Sequence, residues 1–179
     1  MNPKILITGP PRSGKSTLIK KILKYYENKE RTLHGFVTPE VRKDNKRIGF
    51  NILNVYSKKI YMLARKGNYD SDYNLGSYSV FIKEFEEMLE EFEEEPKRKE
   101  DIIIIDEIGK MELFSKRFQQ IIRTLFKSSK TIIGTMGLNL KHKLKTELLN
   151  CPSIVVFHLT RKNQEGILKR IINSNASRN

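Results

Sequence analysis

The chain has 179 residues, of which 38% are hydrophobic, and a formal net charge of +13. That content excludes a disordered chain, and the length predicts one domain, residues 1–179, with a frayed tail from about 174. No apolar run reaches the ~18 residues of a membrane span, and the N-terminus leaves no room for a signal peptide. We therefore expect a cytoplasmic monomer without membrane contact. Cys151 is the only cysteine, which excludes an intrachain disulfide and a cysteine-based metal site.

The positive charge comes from 34 lysine and arginine residues against 21 aspartate and glutamate residues. Such a surface attracts polyanions, including nucleic acid, or it is a solvated lysine-rich surface that helps to draw in nucleotide. No nucleic-acid-binding motif accompanies the charge, so RNA or DNA is an open partner but not the favoured one. The three histidines, His34, His142 and His158, lack metal-ligand spacing.

A strand, a loop and a helix are predicted at the start of the chain. The apolar run at 5–8 predicts a buried strand, and residues 15–26 predict a helix with Leu18, Ile22 and Tyr25 or Tyr26 on one face. Between them, GPPRSGKS has the P-loop spacing Gly-x-x-x-x-Gly-Lys-[Ser/Thr]. This motif requires that context of strand, loop and helix.

The P-loop predicts a phosphate site. Glycines at both ends let the loop turn its amides inward, and the positive end of the helix adds to the attraction. Lys15 supplies positive charge at the β- and γ-phosphates, and the Ser16 hydroxyl ligates Mg2+. The predicted nucleotide-binding residues are Gly9, Pro10, Pro11, Arg12, Ser13, Gly14, Lys15, Ser16 and Thr17.

A β-meander is predicted next, at about residues 33–64. Two β-rich runs, 33–41 and 48–56, flank a polar Asp-Asn turn and predict a hairpin, and residues 58–66 predict a third strand. Residues 66–78 are rich in Gly, Asn, Asp, Ser and Tyr, which is typical of a loop.

The second half of the chain predicts an α/β fold. Residues 79–95 predict an amphipathic helix with its glutamates in solvent. Strands and helices then alternate, as in a mostly parallel sheet with helices on both faces. The strands are at 101–107, 130–135 and 153–159, and the helices at 115–129, 140–150 and 163–174.

The strand at 101–107 delivers Asp106 and Glu107 to its carboxyl end, where open α/β sheets bind ligands. In P-loop enzymes such an Asp holds Mg2+ through water. A Glu directly after it can orient the attacking water and accept its proton, which favours hydrolysis over transfer to an acceptor hydroxyl. The alternative is a carboxylate that only caps the following turn.

Phosphoryl transfer also needs positive charge near the γ-phosphate. Lys110 is the favoured candidate because it lies just past Glu107, and each of the others is also consistent with a plain surface residue. Thr135 ends a predicted strand, where its hydroxyl is either a γ-phosphate sensor or an ordinary strand end. The other cationic candidates are Arg12, Arg42, Arg47 and Arg161.

Stretches along nearly the whole chain match one known family in order. They are GPPRSGKST, GFVTPEVRKDNKRIGFNI, DEIGKMEL with SKRF, IIGT, and VFHLTRKNQEGIL. Together they resemble the small P-loop nucleoside-triphosphatases of the THEP type, which include the vertebrate cancer-related nucleoside triphosphatase. The resemblance implies a P-loop fold of the RecA-like division with an added β-meander.

The resemblance also implies Mg2+-dependent hydrolysis of nucleoside triphosphates to diphosphate and phosphate, with broad base tolerance. It makes Asp106 and Glu107 the metal and water carboxylates and places Lys110 and Glu112 in the same signature. Residues 160–163, including Asn163, would lie near the base. Two positions depart from the family, since Arg12 replaces a usual glycine and Met136-Gly137 replaces a frequent Ile-Pro.

Two other functions stay open from the sequence. A nucleoside or nucleotide kinase would hold an acceptor against the hairpin and residues 66–78, but no acceptor-site signature is present. A nucleotide-switched ATPase that binds nucleic acid would use the basic surface, but no RNA or DNA motif is present. The favoured function is hydrolysis of ATP, GTP, CTP and UTP with Mg2+ as cofactor.

Overall fold

A computed structural model describes residues 2–176, and the structural statements that follow concern those residues. They form ten strands in one sheet and five α-helices. The strands are β1 (Lys4–Gly9), β2 (Leu33–Val37), β3 (Glu40–Lys43), β4 (Lys46–Asn54), β5 (Ile60–Lys66), β6 (Tyr73–Leu75), β7 (Tyr78–Val80), β8 (Ile102–Ile108), β9 (Thr131–Gly137) and β10 (Ile154–His158). The helices are α1 (Lys15–Glu27), α2 (Ile82–Glu94), α3 (Lys116–Lys127), α4 (Lys143–Leu149) and α5 (Gln164–Ala176), and Glu112–Phe114 forms a 3-10 turn.

The centre of the sheet is parallel, in the order β10-β1-β9-β8-β2. Strand β9 thus lies between β1, which leads into the P-loop, and β8, which ends in the two carboxylates. This architecture confirms the predicted α/β P-loop fold. Because parallel strands end at one edge, the P-loop and the end of β8 lie on the same side of the sheet although about 90 residues separate them.

Two apolar layers cover the sheet. One contains the inner faces of α1 and α5, and the other those of α2, α3 and α4. In the second layer Phe36, Phe85 and Phe118 pack in pairs with ring centroids 5.2–5.8 Å apart. The predicted inward residues Leu18 and Ile22 of α1 are buried, so helical spacing located the core side of this helix correctly.

Strand β2 differs from the prediction in its position in the sheet. It was expected to belong to the inserted meander, but it is a parallel neighbour of β8 and pairs with β4 at its other edge. The close pairing with β8 depends on Gly35, which has φ +95°, and whose Cβ, if present, would lie 1.9 Å from the Ile104 carbonyl oxygen. The inserted antiparallel strands therefore run from Glu40 to Val80 rather than over about 33–64.

Other predicted boundaries also move. The segment at 66–78 was predicted as a loop, but it holds β6 and the start of β7, joined at Gly76 (φ +60°). Strand β7 takes residues that were assigned to the next helix, so α2 begins at Ile82 instead of 79. Helix α5 continues to Ala176, past the predicted onset of fraying at 174, and residues 177–179 lie outside the described part. Over residues 2–176, none of the helices combines the length and apolar character needed to cross a membrane.

Candidate active site

The P-loop joins β1 to α1 and is shaped by two glycines. Gly14 has φ +97° at the N-cap of α1, a conformation that favours glycine. At Gly9 a Cβ would lie 2.6 Å from Ser13 Oγ and 2.8 Å from the Leu159 carbonyl oxygen, so only glycine fits the packing. The Lys15 ammonium is buried and donates to the carbonyl oxygens of Gly9 (3.1 Å) and Pro10 (3.3 Å). These bonds hold the Lys15 ammonium at the beginning of the predicted phosphate-binding loop.

Arg12 occupies the exposed crest of the loop with φ +63°. A non-glycine residue in this left-handed region costs about 1–2 kcal/mol. The resemblance implies glycine at this position, and the backbone angle is one that glycine adopts without strain. Pro10 and Pro11 are exposed beside it, and Ser16 and Thr17 are exposed in the first turn of α1.

The segment between β10 and α5 supports the loop from the side. Arg161 Nε donates to the Arg12 carbonyl oxygen (3.3 Å), and Gln164 Nε2 donates to that of Gly14 (3.1 Å). Asn163 closes the same turn, because its Oδ1 accepts from the Thr160 amide (2.8 Å) and its Nδ2 donates to the His158 carbonyl oxygen (2.9 Å). This is where the predicted base-proximal residues lie, next to the P-loop.

Asp106 lies at the end of β8 and is almost fully buried. Its Oδ1 accepts from the Thr135 hydroxyl (2.6 Å), and the Ser16 side chain lies close enough to the carboxylate to lower its pKa. Burial raises the pKa of Asp106, and the two hydroxyl donors partly offset that rise by stabilising the carboxylate. Thr135 is therefore a direct partner of the predicted metal carboxylate.

These residues fit a Mg2+ ion. Ser16 Oγ and the Asp106 carboxylate are hard oxygen donors that lie near each other, and Ser16 is open to solvent. Mg2+ prefers oxygen ligands, keeps several waters and takes few protein ligands when phosphates supply the rest. Consistent with that, residues 2–176 hold no cluster of three or more His, Cys, Asp or Glu side chains able to bind a metal by themselves.

Glu107 follows Asp106 through a cis peptide bond and is partly exposed. Its Oε1 lies near the backbone of Gly137, where a Cβ would be 3.6 Å away. Burial raises the pKa of Glu107, the Lys15 charge opposes that rise and the Asp106 charge adds to it. The residue therefore combines access to solvent with a carboxylate that is more basic than usual.

Glu112 is the third carboxylate of this region and is buried in the 3-10 turn. Its Oε2 packs on Gly109, where a Cβ would lie only 2.6 Å away, and Glu107 flanks the same point at 3.5 Å. Burial raises the pKa of Glu112 to about 8, with a further rise from the charges of Glu107 and Asp106. The carboxyl group is thus mainly protonated at neutral pH.

The predicted cationic residues are dispersed. Lys110 is exposed at the turn after β8. Arg42 and Arg47 lie in the β3–β4 hairpin and both pair with Glu40, at 2.6 and 3.1 Å, and Arg47 also donates to Tyr78 Oη (3.0 Å). The structure therefore directs both hairpin arginines to contacts within the inserted strands and not to the P-loop.

One site residue, Gln164, was not anticipated from the sequence, and one predicted residue, Ser13, has a buried side chain that the sequence did not indicate. The Gln164 side chain binds the P-loop, but Gln164 follows Gly14 by 150 residues in the sequence and belongs to no phosphate-binding motif. Ser13 carries a buried hydroxyl that has no hydrogen-bond partner among the described residues. The sequence did not indicate that Ser13 is buried, because the P-loop pattern accepts any residue at this position.

Comparison with known proteins gives consistent results. An NTPase family model matches residues 4–172. The nucleoside-triphosphatase THEP1 of Thermotoga sp. (strain RQ2) is 38% identical over 169 residues, covering 94% of this chain and 93% of the relative. The crystal structure of THEP1 from Aquifex aeolicus matches with a TM-score of 0.80 and 37% sequence identity, covering 95% of this chain and 97% of that one. The solution structure of a human cancer-related nucleoside triphosphatase matches with a TM-score of 0.82 and 31% sequence identity, covering 99% of each chain. The chain therefore belongs to the NTPase family, the THEP-type P-loop family that its motifs resemble.

Proposed function

We propose that this protein hydrolyses nucleoside triphosphates to nucleoside diphosphate and phosphate, with Mg2+ as cofactor and broad tolerance of the base. The carrying observation is that β1 and β8, on either side of β9, bring the P-loop with Ser16 and the carboxylates Asp106 and Glu107 to one edge of the sheet, where Ser16 lies close enough to stabilise the Asp106 carboxylate. This proximity joins the phosphate-binding and carboxylate halves of the site. The names of the relatives, nucleoside-triphosphatases, support the same activity for those proteins.

Each residue has a defined task in this reaction. The loop amides and Lys15 bind the β- and γ-phosphates, and the hydrogen bond from Thr135 orients Asp106 and favours its ionised form. Ser16 and Asp106 would hold Mg2+, which when bound supplies positive charge against the phosphate oxygens. Glu107 orients the attacking water and accepts its proton, and its raised pKa makes it a stronger base than an exposed glutamate.

Broad base tolerance is supported by the turn beside the loop. The Asn163 side chain bonds to Thr160 and His158 through its Oδ1 and Nδ2, and Arg161 Nε donates to the Arg12 carbonyl. Discrimination between bases needs donors and acceptors aimed at the base edge. These contacts orient both side chains toward the protein, so we expect ATP, GTP, CTP and UTP to be hydrolysed at similar rates.

The test is phosphate release with Mg2+ and each of the four nucleotides, without an acceptor. We expect release from all four, its loss in Lys15→Ala together with weaker binding, and retained binding with slow turnover in Glu107→Gln. Glu90→Gln, an exposed glutamate on α2, is the matched control and should turn over normally. Phosphate transfer only after addition of a nucleoside or nucleotide acceptor would identify a kinase instead, and unchanged turnover in Glu107→Gln would assign the water to another carboxylate.

A further inference from the structure

A group of cations lies at the amino ends of the parallel strands, the edge of the sheet opposite the candidate active site. We call Arg31, Lys97, Arg98, Lys99 and Lys130 the basal cluster. Its members converge on the segment that precedes β8. Lys130 Nζ donates to the carbonyl oxygens of Lys97 (2.9 Å) and Arg98 (2.7 Å), and Arg31 donates to that of Glu100.

The charge of the basal cluster is largely unbalanced. Among the described residues, Lys97 is its only member in a salt bridge, 3.9 Å from Glu95. Glu95 and Asp101 are buried and face the two ring nitrogens of His34, at 2.7 and 3.1 Å. The exposed carboxylates of the same segment are Glu94 and Glu100. Four of the five cations thus have no carboxylate partner among the described residues, and the segments that carry the cluster hold three exposed carboxylates, since Glu30 lies beside Arg31.

An exposed aromatic ring lies beside the basal cluster. Tyr56 stacks on His34 with ring centroids 4.6 Å apart and planes 17° apart. His34 is fully buried, so it covers the inner face of the tyrosine ring, and the 43% of Tyr56 that is exposed belongs to the outer face and edges. His34 in turn contacts Asp101, whose carboxylate accepts from the Arg98 amide (2.6 Å).

The position of this ring is fixed. The Tyr56 amide donates to Asn54 Oδ1 (2.9 Å), and Asn54 Nδ2 donates to Glu95 Oε1 (2.7 Å). The ring therefore presents a flat aromatic face that needs no ordering when a ligand arrives. A rigid aromatic face next to clustered cations is the arrangement that binds single strands, because bases stack and phosphates pair with the cations.

We propose that the basal cluster and Tyr56 bind single-stranded nucleic acid, with phosphates on the exposed cations Arg98 and Lys99 and a base on the outer face of the Tyr56 ring. A lipid surface fits less well. The exposed large apolar side chains of the described residues lie outside 29–33, 94–101 and 127–131, the segments that carry the cluster, and only Tyr56 and Ile60 are exposed beside them, which is a small apolar area for insertion into a bilayer. Because this surface lies at the opposite edge of the sheet, nucleotide hydrolysis proceeds without it.

The test is fluorescence polarisation of a labelled oligo(dT) or oligo(U) of about 12 nucleotides, titrated from about 50 to 200 mM salt. Arg98→Gln/Lys99→Gln should weaken binding and reduce the salt slope by about 1.4, since each phosphate contact to a single strand contributes about 0.7. Lys141→Gln/Lys143→Gln removes two exposed lysines near α4 and should leave binding unchanged.

The ring is tested separately. Tyr56→Ala should weaken binding about tenfold, Tyr56→Phe should retain it, and Tyr69→Ala, which removes another exposed tyrosine, should have no effect. All variants should release phosphate from ATP at the wild-type rate, which confirms that they are folded.

Several results would overturn the proposal. These are no binding at about 50 mM salt, or equal losses in the two lysine and arginine double variants. Equal affinity for a duplex together with an unaffected Tyr56→Ala would reduce the surface to a general polyanion site. Cluster-dependent sedimentation with phosphatidylserine vesicles, in the absence of oligonucleotide binding, would assign the surface to membranes.

Discussion

The buried carboxyl of Glu112 should make the stability of the protein depend on pH. Its pKa is about 8 in the folded chain and near its ordinary value of 4.5 when the chain is unfolded. Between these values the folded state retains a proton that the unfolded state has lost. Stability is therefore fully present below about pH 4.5 and is lost as the pH rises through about 8.

The size of the effect follows from the same two values. The difference between 4.5 and about 8 corresponds to at most about 5 kcal/mol of unfolding free energy. Total stabilities of domains are about 5–15 kcal/mol, so the effect is a large fraction of the whole. Burial also raises the pKa of Asp106 and Glu107, which adds a loss of the same sign.

The assay is urea unfolding of the protein in chelator, without nucleotide, at several pH values from about 5 to 8. Glu112→Gln keeps the shape of the side chain but carries no titrating proton, so its stability should fall much less over this range. At about pH 8 the variant should be more stable than wild type by several kcal/mol, and near pH 5 the two should be similar. Glu90→Gln should follow wild type. A wild-type stability that stays constant over this range, or an identical slope in Glu112→Gln, would refute the reasoning.

Three further substitutions test the local geometry. Arg12→Gly should raise the free energy of unfolding by about 1 kcal/mol because it removes a side chain from φ +63°, whereas Arg12→Ala should bring no such gain, as chemical denaturation will show. Thr135→Val removes the hydrogen-bond donor to Asp106 and should lower both the turnover rate and the apparent affinity for Mg2+, while Thr135→Ser should restore both quantities. Gly35→Ala should destabilise by several kcal/mol or prevent folding, because its Cβ would collide with the Ile104 carbonyl, and a melting temperature near that of wild type would contradict this.

The sequence predicted the parallel part of the fold where the signals are strong and local. From residue 101 onward each strand and helix has its own periodicity, and the structure has them in the same order. Strand β2 was misassigned because its run continues into residues 38–41 and the Asp-Asn turn suggests a local hairpin. The partner that fixes its place, β8, lies about 70 residues further along the chain, and no local pattern reports that pairing.

In the candidate site too, features with local sequence signals were predicted and features that depend on distant contacts were not. The P-loop and the Asp106–Glu107 pair carry recognisable spacing, and the topology brings them together as expected. Their chemical roles stay predictions until the variants are measured. The contacts of Arg42 and Arg47 with Glu40 were not predictable, because the side of the hairpin on which a side chain lies depends on the register of β3 and β4.

The conformation of the P-loop depends on residues outside its motif. Arg12 keeps φ +63° without glycine, a state that persists only where neighbouring contacts determine it. Those contacts come from the far end of the chain, since Arg161 and Gln164 bind the carbonyl oxygens of Arg12 and Gly14. Helix α5 is in turn tied to α1, where Glu165 pairs with Lys21. The loop is therefore held between the starts of α1 and α5, so the segment at 161–164 helps to determine the conformation of the predicted phosphate-binding loop although it carries no recognisable phosphate motif.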